Sequence, residues 1–426
     1  MLLQFNFKNF KSFRDDTTLD LTATKISEYN NHVVAIGKEK VLPVAAIFGA
    51  NASGKSNVQE AFRYMATYVV RSFAYGGDKS RKDKSDFMAP IPFLFDEKSK
   101  NLVSSFEVYF IDSEENDAKS YNYGFTIGGD GIDEEWLNYR SKSSRGDYKR
   151  IFYRNKSENV LNLSGIAQKS QDNIKIALEK EVLVVSLGAK LKIAKLKFVR
   201  DWFINNEIAD FGSPTENYFL SEQLPDGFIN NKEVQKKVVQ YFAAFDPSIV
   251  DFEVETLVFE QNDADEIKLV RIDAVHKMMD SDKTTTIPLR LESAGTLKMF
   301  ALYRLLQGVL GNGSILFVDE LNARLHPLLV RTFVIIFLDP DLNKNHAQLI
   351  FTSHDSWQLN SNLLRRDEVW FTEKSEDGVS TLYSLADFVD EGGAKIRRDE
   401  NHAKNYLLGK YGAIPTLKHF DMFEGE

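Results

Sequence analysis

The chain has 426 residues, 43% hydrophobic and 27% charged, a balance that excludes both wholesale disorder and a disulfide scaffold. It has no cysteine, which removes disulfides, thiolate metal sites and cysteine nucleophiles together and agrees with a reducing compartment. A net charge of -9 argues against coating nucleic acid through the overall field, and the seven histidines show no metal-ligand spacing.

At about 150 residues per domain, the length suggests two to three structural units. The opening MLLQFNFKNFKSF alternates apolar and polar side chains and lacks the features of a signal peptide. No stretch is apolar for long enough to span a bilayer, so a cytoplasmic protein with no membrane contact is expected. Residues 1–22 read as strands with a turn near Asp15 and Asp16.

VLPVAAIF is a short continuous apolar run, the pattern of a strand buried on both faces, and a helical pattern runs from Ser56 to about Phe73. Between them GANASGKS fits G-x-x-x-x-G-K-[ST] at Gly49, Gly54, Lys55 and Ser56. The glycines let backbone N–H groups wrap phosphates while the helix N-terminus faces their negative charge. Lys55 is expected to reach the β- and γ-phosphates of ATP and the Ser56 hydroxyl to ligate Mg²⁺, with Asn51 and Asn57 in the same nucleotide-binding segment.

Residues 76–86 read as a polar loop, and SSFEVYFI and SYNYGFTIGG as an antiparallel meander. From Arg140 to Lys156 seven basic residues gather with aromatics between them, either a nucleic-acid contact or a solvated hairpin. Apolar spacing of three and four from Gln168 to Phe211, and again in KEVQKKVVQYFAAF, predicts amphipathic helices forming a separate lobe. No heptad persists long enough for a coiled-coil arm. Strands are expected near DFEVETLVFE and EIKLVRIDAV, and the division that follows is 1–160, a mainly helical insertion over 161–250, and 251–426.

In the last part, four apolar residues of SILFVDE predict a buried strand that delivers Asp319 to the Mg²⁺ shell and Glu320 toward an attacking water. Upstream, Ser293 to Gly295 open a helix in LRLESAGTLKMFALYRLL, either a second phosphate-binding turn or a plain cap. QLIFTSHD is a strand ending at His354, where an imidazole can meet a γ-phosphate. Arg365 and Arg366 fit equally a helix-end support and a partner surface.

The order of these motifs resembles the ABC-type ATPase head, the class of the SMC proteins, RecF and MutS. The resemblance implies an α/β fold, a P-loop core of mixed sheet and helices with an antiparallel β subdomain and an inserted helical lobe. It also implies that the signature helix of one copy closes on the nucleotide of the other. Ser293 and Gly295 would then bind the γ-phosphate in trans, His354 would be the switch histidine, and Asn322 to Leu325 would form the D-loop. No glutamine stands out for the Q-loop, and PIPFLFDEKS is the segment expected in its place.

NFKSF, GANASGKSN, VDELNARLHPLL, TSHDSWQLNSNLLRRDEVWFTEK and KNYLLGKYGAIP together resemble the AAA15 or AAA21 group of prokaryotic ATPases, nearest to its RloA and AbiL-type abortive-infection members. That likeness implies a homodimer or higher homo-oligomer, ATP and Mg²⁺ as cofactors, ATP hydrolysis, and a separate nuclease-like effector of TOPRIM, RloB-like or HNH type in phage defence. A RecF-like repair ATPase on duplex DNA and an ATP-bound scaffold with little hydrolysis are the alternatives.

Overall fold

The computed structural model describes residues 1–415 except 77–88, 113–118, 142–146, 222, 244–245, 262–264, 360–361, 390–392, 394 and 399. In chain order come β1 (Leu2–Lys8), β2 (Thr17–Asp20), β3 (Val34–Ile36), β4 (Glu39–Val41), β5 (Val44–Gly49) and α1 (Lys55–Arg71). The meander follows as β6 (Ser104–Ile111), β7 (Lys119–Gly128), β8 (Gly131–Ser141), β9 (Lys149–Asn155) and β10 (Val160–Asn162). Next are α2 (Gln168–Ala177), α3 (Val184–Lys190), α4 (Ala194–Ile204), β11 (Glu207–Asp210), α5 (Pro214–Ser221) and α6 (Lys232–Ala243). The remainder is β12 (Ile249–Gln261), β13 (Asp265–Lys277), β14 (Thr284–Pro288), α7 (Ala294–Asn312), β15 (Ile315–Asp319), α8 (Pro327–Leu338), β16 (Gln348–Thr352), β17 (Val369–Lys374), β18 (Ser380–Ser384) and α9 (His402–Leu407).

Two large sheets organise the chain. A mixed sheet runs β11-β15-β16-β5-β17-β18, parallel except for β18, and an antiparallel sheet runs β10-β9-β8-β7-β6-β1-β2. Strands β5, β15 and β16 are buried along their whole length, which is why they read as unbroken apolar runs. Their alternate side chains serve two cores. Val44, Ala46, Phe48, Leu316, Val318, Leu349 and Phe351 pack with α7 and α8 on one face. Ala45, Ile47, Ile315, Phe317 and Ile350 pack with α1 on the other, where Phe5, Phe106 and Phe125 of the antiparallel sheet cover the far side of that helix. The mixed α/β fold is the one expected.

The insertion departs from the reading as a separate lobe. Leu183, Val184 and Val185 at the start of α3, with Leu196, Val199 and Phe203 of α4, join the same core as α1 and the meander. Strand β11 then pairs in parallel with β15 as the edge of the mixed sheet. Burying an amphipathic stripe against an existing core removes apolar surface that a free-standing lobe would have to cover by itself.

Arg365 and Arg366 are settled as fold staples. Arg365 is fully buried and forms a fork onto Asp367, with 2.9 Å from each of Nε and Nη2, and its Nη1 donates to the Glu28 carbonyl. Arg366 Nε donates to the Glu28 carboxylate at 2.7 Å, so the N-terminal segment is clasped to the entry of β17.

Helix α3 is capped from a distance. Its own N-cap, Leu183, offers no side-chain acceptor, and the Val184 and Val185 N–H groups donate instead to the Glu135 carboxylate of β8 at 2.7 and 3.1 Å. Tyr123 donates a further bond at 3.1 Å, and burial still pushes the Glu135 carboxyl up to about 7. A carboxyl raised from its ordinary 4.5 binds its proton more tightly in the folded chain, so its contribution to stability is complete below that pH and is lost as pH rises to about 7. Urea midpoints should therefore fall across this window in the native chain and flatten in Glu135→Gln. Glu135→Ala, which orphans the helix N–H groups, should cost about 2–4 kcal/mol at any pH in it.

Candidate functional site

Strand β5 delivers the chain into a tight loop that ends at the N-terminus of α1. A Cβ on Gly49 would lie 2.5 Å from the Thr372 carbonyl oxygen, and one on Gly54, at φ +114°, would meet the Ser380 hydroxyl at 2.7 Å. Glycine is thus required at both ends of the loop. Lys55 folds back so that Nζ donates to the carbonyls of Gly49 at 2.9 Å and Ala50 at 2.8 Å. Burial lowers its ammonium to about 8, with Asp319 and Glu320 pulling the other way.

The loop is braced from both ends of the chain. The Ser53 and Thr372 hydroxyls are 2.6 Å apart, and the Ser380 hydroxyl lies 2.7 Å from both the Ser53 carbonyl and the Ser12 hydroxyl. Asn57 Nδ2 donates to the same Ser12 hydroxyl at 2.7 Å. The NFKSF turn therefore acts as a support for the loop.

Strand β15 ends beside β5's neighbour β16, where the Thr352 hydroxyl joins the two acidic residues. It donates to Asp319 Oδ1 at 2.5 Å and accepts from the Glu320 N–H at 2.9 Å. Asp319 is buried, whereas Glu320 turns out of the sheet at φ +52° and its Oε1 lies 3.3 Å from His354 Nε2. A non-glycine residue with positive φ is uncommon, and here it aims the carboxylate away from its strand toward open space.

A cleft of about 740 Å³ is lined by Asn51, Ala52, Gly54, Lys55, Ser56, Asn57, Glu320, His354 and Lys374. The structure thus brings seven of the expected residues to one space. Gly49 and Asp319 lie beneath it rather than on its wall, as backbone pivot and buried carboxylate. Ser293 and Gly295 are not in the cleft. Ser293 caps α7, its hydroxyl accepting from the Thr296 N–H at 3.1 Å, and it is exposed; a Cβ on Gly295 would touch the Arg324 carbonyl at 3.4 Å.

One part of the site escaped the sequence. Asp210 at the end of β11 is in register with Asp319, and burial with Asp319 beside it raises its carboxyl. It accepts from the Gly212 and Ser213 N–H groups at 2.8 and 3.0 Å. A Cβ on Gly212 would lie 3.0 Å from the Glu320 carboxyl carbon, so this turn forms the floor under Glu320. The segment PIPFLFDEKS, expected to supply the Q-loop, does not line the cleft. The signal available was the small DFGS turn after a four-residue strand.

Three residues of the basic stretch are engaged within the protein, while Lys149 and Arg150 are exposed. Arg140 pairs with Glu39 at 2.7 Å, Arg154 donates to the Val182 carbonyl at 2.8 Å, and Lys156 pairs with Asp130 at 2.5 Å. Lys142 and Arg145 lie outside the described residues, as does most of the 76–86 loop. Among the described residues no helix is long and apolar enough to cross a membrane.

Among solved structures, the SMC head domain from Thermotoga maritima is similar at 14% identity, covering 90% of this chain and 98% of that one with a TM-score of 0.39. An SMC head bound to the C-terminal winged-helix domain of ScpA has 13% identity, 90% and 97% coverage and a TM-score of 0.40. A third, the SMC head with an extended coiled coil bound to the C-terminal domain of ScpA, derived from Pyrococcus furiosus, has 16% identity, 90% and 96% coverage and a TM-score of 0.39. No curated protein matches the chain. A family model described as "AAA domain, putative AbiEii toxin, Type IV TA system" matches residues 44–356, well over half the length, and the chain belongs to that family.

Proposed function

We propose that this protein binds ATP with Mg²⁺, closes over it as a homodimer, and hydrolyses it to control a separate nuclease-like effector in anti-phage abortive-infection defence. The observation that carries the enzymatic part is the cleft in which a helix N-terminus, Lys55, Ser56, Glu320 and His354 face one another. Gly49 and Gly54 leave room for phosphate oxygens against backbone N–H groups where any side chain would collide. The exposed Ser56 hydroxyl and the Asp319 carboxylate are hard oxygen donors of the kind Mg²⁺ prefers, so the residues fit both groups. When bound, the metal ion would neutralise charge on the phosphates.

In this reading Lys55 holds the phosphates and Glu320 orients and deprotonates the water. His354, hydrogen-bonded to Glu320, faces the γ-phosphate. Ser293 and Gly295 supply the γ-phosphate contacts from the second copy. Dimerisation is supported by their position: a phosphate-binding turn outside its own cleft and exposed has a use if it meets the cleft of another copy. The defence role rests on the family's description as a putative AbiEii toxin of a type IV toxin–antitoxin system, together with the sequence resemblance above.

The test is light scattering with and without ATP and Mg²⁺. The chain should double its mass only with both, and Ser293→Arg should remain monomeric. A chain that stays monomeric at saturating nucleotide removes the two-copy site.

A further inference from the structure

Lys298, one turn into α7, is 1% exposed. Its partners are three backbone carbonyls rather than a carboxylate: Nζ donates to Leu321 and Ala323 at 2.8 Å and to Glu320 at 3.2 Å. The ammonium also lies 4.2 Å over the ring centroid of Phe211, the residue that follows Asp210. A single buried cation therefore touches the helix that begins at Ser293, the turn that carries Glu320, and the turn beneath it. Burial lowers its ammonium to about 7, a measure of the cost of holding a charge there.

That turn needs holding. Glu320 and Arg324, at φ +52° and +61°, bracket it in the left-handed region, and its internal bonds are two, Ala323 N–H to the Glu320 carbonyl and Leu325 N–H to the Asn322 carbonyl. Three carbonyls converge on the interior of this turn; that of Glu320 also accepts from the Ala323 N–H, whereas those of Leu321 and Ala323 take their hydrogen bond from Nζ and would lose it with the ammonium.

We propose that Lys298 is a positioning residue: it fixes the Glu320 turn from the signature helix, so that the placement of the water-activating carboxylate is set by the element that carries Ser293. The proposal rests on the ATPase reading above for its catalytic consequence, and on local geometry alone for its mechanical one. A rigid shift of α7 pulls the Glu320 turn with it through Nζ, which gives Ser293, on contacting a phosphate, a physical path to Glu320.

The experiment uses Lys298→Met, which keeps the methylene packing and removes the donors, with ATP affinity, turnover and amide hydrogen exchange measured on the full chain. Turnover should fall about 10- to 100-fold with ATP affinity within about twofold of wild type, because misplacing a catalytic group costs rate without costing ground-state binding. Exchange of the amides in 321–325 should quicken by about tenfold or more while the amides of α1 stay unchanged. Wild-type turnover with unchanged exchange would overturn the proposal. Should the unmodified chain bind ATP without hydrolysing it, the enzymatic reading fails, and the exchange result alone decides the role of Lys298. Lys298→Gln, uncharged but with an N–H donor pair, carries the same readouts where the methionine variant does not fold, and it too must quicken exchange in 321–325 for the proposal to stand.

Discussion

Glu320→Gln should lower ATP turnover by about 10²- to 10³-fold while leaving nucleotide affinity near wild type, the range expected for loss of a positioned general base. The substitution is informative because it changes little else. Glutamine retains the side-chain length and tolerates the same backbone, so the φ of +52° and the N–H bond to Thr352 Oγ1 are kept. Its amide still reaches His354, which lies 3.3 Å from the present carboxylate. What disappears is the ability to take a proton. In the proposed cycle, where closure follows occupancy and reopening follows hydrolysis, trapped ATP dimers should accumulate on light scattering. Turnover at the wild-type rate in this variant would strip Glu320 of its assigned role and move attention to Asp210.

Lys55→Met should weaken ATP binding by roughly 100-fold, about 3 kcal/mol, the worth of charge-assisted bonds to phosphate. The ammonium is now bonded to the Gly49 and Ala50 carbonyls at 2.9 and 2.8 Å. Those bonds hold it at the mouth of the loop, where phosphate oxygens would replace or join the carbonyls. Methionine preserves the packing of the stem, so thermal stability without nucleotide should change little and calorimetry should report a binding defect rather than unfolding. ATP affinity equal to wild type would exclude this loop as the phosphate site.

The parts of the fold that were plain in the sequence are those where one physical effect dominates. The strands β5, β15 and β16 are buried on both sides, and runs of three to five apolar residues, too short for a helix, carry that burial in the sequence. The glycines of the loop, and the cap at Ser293, follow from backbone requirements that act over a few residues. Strand β11 was hidden because it has four residues, Glu-Ile-Ala-Asp, of which only Ala209 is fully buried, and its neighbours are strongly helical. Only a partner more than a hundred positions away makes it a strand. Asp210 and Gly212 were missed for the same reason. The bond from Arg365 to the Glu28 carbonyl and the ion pair of Arg366 with the Glu28 carboxylate likewise depend on a residue that no local pattern connects to them. The basic stretch forms the β8–β9 hairpin with Lys149 and Arg150 exposed, as the solvated-hairpin reading has it, while the partners Glu39 and Asp130 of Arg140 and Lys156 come from elsewhere in the chain and left no local signal.

The pairing of β11 with β15 bears on how such proteins can be recombined. A hybrid that trades residues 161–250 for a relative's would exchange a strand of the mixed sheet along with the helices, and with it the floor beneath Glu320. Swaps confined to 214–243, which spans two helices and no strand of that sheet, spare the pairing. Modularity in this architecture therefore begins after the Asp210 turn, and anything grafted there is tethered a few residues from the candidate site.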